Sequence, residues 1–222
     1  SPMSKTMEQW GREFAEGGAV GGCTGAVEKK TGAKLTDQDL QARLDQVYGK
    51  GVIPVATGMR YGNPSVASAL RELTDHNVHN IVLLLVYPQY CGATVGSTFD
   101  AVADELKTYR WVPELKFISG YHQHPIYLQA LADSIRQHID EHGMPDKLIM
   151  SFHGTPELYL HRGDPYFCFC SQTTRMVKQK LQLEDDRVML TFQSRFGKAP
   201  WLKRIQHPVS INIKERPDVI VP

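Results

Sequence analysis

The stretch SFHGTPELYLHRGDPY, Ser151 to Tyr166, ends an apolar run in a single histidine, with a glycine directly after it and a proline two residues further on. An imidazole in that place suits a general base or a metal ligand. Its pKa lies near neutral pH, and the neutral ring keeps one nitrogen free. Gly154 has no side chain, so another group can approach the backbone closely. Ser151 and His153 project the same way from a strand, but side chains two apart need not touch, and no G-x-S-x-G elbow is present. Hydrolase chemistry is therefore a weak reading of this stretch. There is no H-E-x-x-H, phosphate-binding P-loop or zinc-finger spacing, so a metal handled here is held by few ligands and transiently.

Other polar residues follow apolar runs in the same way: Arg60 and Tyr61; Tyr87, Gln89 and Tyr90; Tyr121, His122 and His124; Gln193, Ser194 and Arg195. In open parallel sheets, ligands bind outside the carboxyl ends of the strands, which is where these residues fall. Tyrosine faces and arginine forks together suit a large, flat, partly anionic ligand. For His122 and His124 we expect a structural role, as a satisfied polar group or a helix cap.

The elements that position these residues alternate. From residue 50 onward, short apolar runs and helical patterns follow one another, which predicts βαβ units and parallel sheets. Strands are expected at GVIPVATGM (with Pro54 confining it to an edge or a strand start), IVLLLV, LKFISG, KLIMSF, RVMLTF and DVIVP. Helices are expected over Thr36 to Tyr48, after an Asn63 cap with Pro64 in the first turn, from Ser97 with Asp100 in a capping-box arrangement, from Pro125, and from about Thr173 to Leu181. GGAVGGCTG lacks the G-x-G-x-x-G order and reads as a loop. We expect an N-terminal α/β domain over 1–120, its first fifty residues poorly legible, and a C-terminal α/β domain over 121–222.

The chain has 222 residues, with 25 Lys and Arg against 24 Asp and Glu. That near balance argues against a nucleic-acid-binding groove. No apolar run is long enough to cross a bilayer and no signal-peptide core is present, so a soluble, cytoplasmic protein is expected. Cys23, Cys91, Cys168 and Cys170 contain no C-x-x-C pair and fit a reducing compartment as packing residues.

Four segments in one order resemble bacterial ferrochelatase: MRYGNPSV from Met59, YPQYCGATVGSTFDAV from Tyr87, SFHGTPELYLHRGDPY, and TFQSRFGKAPWL from Thr191. The resemblance implies two Rossmann-like parallel-sheet domains facing a cleft. It also implies a lyase that inserts Fe2+ into protoporphyrin IX to form protohaem, the last step of haem biosynthesis. His153 is then the metal-side or proton-accepting residue. Arg60, Tyr61, Tyr87, Gln89, Tyr90, Gln193 and Ser194 are then the substrate-binding residues. The expected partners are protoporphyrin IX and Fe2+, with the iron as substrate, no permanently bound cofactor and no iron–sulfur cluster.

Relative to that family the chain is expected to be incomplete at both ends, without the opening L-x-N-x-G-x-P loop and without the acidic C-terminal segment. The alternative is a shortened, catalytically impaired porphyrin- or metal-binding protein of the same fold. A cobalt or nickel chelatase is a third reading, against which SFHGTP together with FQSRFG argues. Weak peripheral membrane contact is compatible with an apolar product, and oligomeric state is not legible.

Overall fold

The computed structural model describes residues 37–193 and 200–202. They fall into two compact α/β units, and the chain passes from one to the other between Tyr121 and His122.

The first unit contains helices α1 (Asp37–Tyr48) and α2 (Val66–Asp75), strand β1 (Asn80–Leu84), helix α3 (Ser97–Leu106) and strand β2 (Glu114–Ile118). β1 and β2 pair in parallel, Asn80 opposite Glu114 through Leu84 opposite Ile118, with α3 as the crossover. Leu70, Ile81, Val102 and Leu106 form its core, with Leu73, Leu83 and Leu115 packed around them. Inward residues alternate along β1 and recur at helical spacing along α2 and α3, so one apolar stripe of each element closes on the others.

Three expectations change here. GVIPVATGM forms no strand, and Met59 makes only an isolated bridge to Ser65. The Gln41 side chain occupies that segment's backbone instead: its Oε1 accepts from Val55 N–H at 2.8 Å and its Nε2 donates to Ile53 O at 3.0 Å. Helix α2 is capped by Ser65, whose hydroxyl accepts from Ser68 N–H at 3.1 Å, not by Asn63. Pro64 lies before that cap, joined to Asn63 by a cis peptide. The capping box at Ser97 does not form, because Gly92–Gly96 is already a π-helical turn and Gly96 enters α3 in the right-handed helical region.

The second unit contains α4 (Pro125–His142), β3 (Leu148–His153), α5 (Glu157–His161), α6 (Tyr166–Leu181) and β4 (Val188–Gln193). β3 and β4 pair in parallel, Leu148 opposite Val188 through His153 opposite Gln193. Leu148 to Phe152 are all buried, as expected for a strand covered on both faces. Helices α4 and α6 pack together, burying Leu128, Ala132, Cys170, Thr173 and Val177 almost completely. Helix α6 begins at Tyr166, well before the expected Thr173. The Asp164 carboxylate accepts from Tyr166 N–H at 3.0 Å and Pro165 supplies a φ of −79°, so a helix starts in an aromatic-rich segment. The expected GGAVGGCTG loop and DVIVP strand lie outside the described residues.

Candidate active site

His153 closes β3 and sits beside Gln193 at the end of β4. It is the exposed residue of a strand otherwise buried, because the chain leaves the sheet there. Its Nδ1 lies 2.8 Å from the Gly154 carbonyl oxygen. A peptide oxygen only accepts, so a hydrogen bond there requires the proton on Nδ1, and a neutral ring bonded in this way keeps its lone pair on Nε2.

Gly154 N–H donates to Gln193 O at 2.7 Å. A Cβ at Gly154 would lie 2.8 Å from that oxygen and 3.2 Å from Trp201 Cε3. The close approach that the glycine permits is thus made by the protein's own strand end and indole. Residues 200–202 run antiparallel to the turn after β3: Glu157 N–H donates to Pro200 O at 3.0 Å and Leu202 N–H to Thr155 O at 2.9 Å. Gln193 is exposed beside His153, whereas Ser194 and Arg195 lie outside the described residues.

In the first unit, β1 and β2 end side by side at Leu84 and Ile118. Tyr121 N–H donates to Pro88 O at 2.9 Å, tying the loop after β1 to the chain after β2. Within that loop Tyr87 is 43% exposed, Gln89 is buried, and Tyr90 lays its hydroxyl 3.1 Å from where a Cβ on Gly96 would sit. Arg60 Nε donates to Ser97 Oγ at 2.9 Å, which brings the loop carrying Arg60 and Tyr61 to the start of α3. The Arg60 guanidinium lies 4.6 Å from the centre of the Tyr61 ring, and Tyr61 is 74% exposed. Arg60, Tyr61, Tyr87 and Tyr90 therefore gather at one end of this unit, two of them as open aromatic faces. The depression beside Arg60, about 320 Å³, is also lined by Asp104 and Glu105, whose carboxylates are engaged by Lys107 and Arg71.

His122 and His124 have the structural roles expected of them. His124 Nδ1 accepts from Ile126 N–H at 3.4 Å, capping α4. His122 is buried, stacks on Phe169 with centroids 3.8 Å apart, and bonds Gln172 through Nε2 at 3.0 Å. Burial pushes its pKa below the ordinary imidazole value, against the opposing effect of the Gln172 bond. Cys91 and Cys170 are buried and Cys168 is exposed. Among the described residues no three His, Cys, Asp or Glu side chains converge on a point that could hold a metal, and no helix is long and apolar enough to cross a membrane. Ser97 and Trp201 were not marked as site residues by the sequence. Each makes a contact with a candidate site residue or its neighbour that is remote in the chain and that no local pattern announces.

A family model described as ferrochelatase matches residues 31–216. A ferrochelatase of Hydrogenovibrio crunogenus is 56% identical over 165 residues, 74% of this chain and 43% of its own length. A protein of Shewanella oneidensis named ferrochelatase 2 is 53% identical, covering 80% of this chain and 55% of its own. A ferrochelatase of Methylococcus capsulatus is 50% identical, with 75% and 50% covered. The chain thus spans about half the length of the curated relatives it matches. With the model covering most of the sequence and such relatives aligned over three quarters of it, the chain belongs to the ferrochelatase family.

Proposed function

We propose that this chain takes part in inserting Fe2+ into protoporphyrin IX to form protohaem, with His153 as the group that accepts pyrrole protons on the metal side of the ring. In that reaction the porphyrin loses two N–H protons as four nitrogens bind the cation, so a base at the ring face lowers the barrier. The observation that carries the reading is the orientation of His153. Its Nδ1–H is held by the Gly154 carbonyl, which leaves Nε2 as the free acceptor on an exposed strand end. Arg60, Tyr61, Tyr87, Gln89, Tyr90, Gln193 and Ser194 are proposed as porphyrin-contacting residues. The exposed rings of Tyr61 and Tyr87 support this as flat apolar faces, and Arg60 as a partner for carboxylate.

The test is the anaerobic loss of protoporphyrin fluorescence on adding Fe2+, for the chain and for His153→Ala side by side. A general base contributes roughly 10²- to 10⁴-fold, so turnover should fall by that factor in the variant. Equal turnover in both would sink the assignment of His153. Tight porphyrin binding without turnover in either would identify a porphyrin-binding chain.

A further inference from the structure

We propose that Trp201 is a positioning residue for His153: its indole backs the Gly154 peptide whose carbonyl holds the Nδ1–H form of the imidazole. The inference rests on the reading of His153 as proton acceptor. That role needs a lone pair on Nε2, yet a free histidine side chain favours the other tautomer, with the proton on Nε2. Something must therefore hold the carbonyl in place.

Three contacts do so. Gly154 N–H is bound to Gln193 O at 2.7 Å, and Thr155 O is bound by Leu202 N–H at 2.9 Å, fixing the peptides on either side of the one that carries the accepting carbonyl. Trp201 fills the remaining side, with Cε3 3.2 Å and Cζ3 3.8 Å from the position a Gly154 Cβ would take. The Trp201 backbone is held in turn by its antiparallel bridge to Pro156. The carbonyl that faces His153 therefore lies between two bonded peptides, with the indole packed at the Gly154 Cα beside it.

The indole N–H separates a packing role from a hydrogen-bonding one. Trp201 Nε1 is buried and has no hydrogen-bond partner among the described residues. With no donor bond made among the described residues, the indole meets the turn by shape. Phenylalanine supplies a flat face without the N–H. Leucine supplies apolar volume without the flat face.

The experiment is long-range ¹H–¹⁵N correlation NMR of the His153 ring in the wild-type chain, Trp201→Phe and Trp201→Leu, at a pH where the ring is neutral and without porphyrin or iron. We expect the Nδ1–H form in the wild type and in Trp201→Phe, and a shift toward Nε2–H in Trp201→Leu. In turnover assays the leucine variant should lose about 10- to 100-fold in kcat with little change in KM, and the phenylalanine variant should restore it, as for other groups that orient a reacting imidazole. An Nε2–H wild type overturns the proposal at once, even if the leucine variant does not fold. An unchanged tautomer in folded Trp201→Leu overturns it as well, and loss of the Nδ1–H form in Trp201→Phe would move the role to the indole N–H. Because the tautomer is read without substrate, absent chelatase turnover would count against the proposed function and leave this result standing.

Discussion

Replacing Gly154 by alanine tests whether the turn after β3 is as tightly closed as its distances imply. The added methyl would sit 2.8 Å from Gln193 O and 3.2 Å from Trp201 Cε3. The first neighbour is a backbone atom at a strand end paired with His153, so it cannot swing away as a side-chain tip would. Relief requires the peptide to turn or β4 to shift, and either weakens the Gly154 N–H to Gln193 O bond. Overpacking of this kind costs about 1–3 kcal/mol and a weakened net hydrogen bond about 1 kcal/mol. Gly154 has no left-handed φ, so alanine recovers about 0.4–1 kcal/mol from the unfolded chain. The net is a loss of roughly 1–3.5 kcal/mol. With a urea slope of about 2 kcal/mol/M, the unfolding midpoint should fall by about 1 M. A midpoint within about 0.2 M of wild type, at unchanged slope, would refute the geometry on which both the Gly154 and the Trp201 arguments stand.

Three further outcomes follow from separate parts of the molecule. Burial lowers the pKa of His122 in the folded chain, so the unfolded chain takes up its proton first as pH falls below about 6.5. Stability should therefore be lost progressively below that pH, and His122→Gln should flatten this part of the curve in urea titrations at several pH values. Parallel curves would show that another group sets the slope. Ser65→Ala should cost about 1 kcal/mol by removing the α2 cap, whereas Asn63→Ala should cost far less, a contrast measurable by thermal melts of the two variants. Ser97→Ala frees Arg60 from its 2.9 Å anchor. Loss of one bond of about 0.5–1.5 kcal/mol should lower stability by up to that amount and, with Arg60 binding porphyrin as proposed, weaken porphyrin binding by up to roughly 12-fold. Unchanged affinity in a fluorescence titration would remove Ser97 from the site.

The strands that carry the sheets were readable as apolar runs bounded by polar turns, and β1 to β4 fall within a residue or two of those runs. Helix α4 was readable from its proline and the histidine before it. What failed did so where a side chain competes with the backbone pattern. GVIPVATGM looks like a strand because strand propensity describes a pleated, half-buried surface, yet the Gln41 amide takes the hydrogen-bonding groups of Ile53 and Val55 that a neighbour would need. YFCFCSQ is poor in strong helix formers and still begins α6, since Asp164 satisfies an amide at its start and the helix packs on α4. Ser97 reads as a capping residue, and the π-helical turn before it leaves its hydroxyl to Arg60.

The candidate site divides along the same line. That His153 ends a strand, and that a glycine follows, is local information, visible in six or seven letters. The tautomer of its ring is not local, because it depends on where one carbonyl points. The peptides on either side of that carbonyl are bonded by Gln193 and by Leu202, which reach the turn only through the fold. A pattern in the chain can therefore nominate the imidazole, but it cannot say which nitrogen is free. Under the proposed function that is the deciding property, since a ring presenting N–H to the porphyrin would donate where it must accept. On the proposed function, the sequence marks where the base sits, and the packing of Trp201 on Gly154 is the further contact proposed to let it act as one.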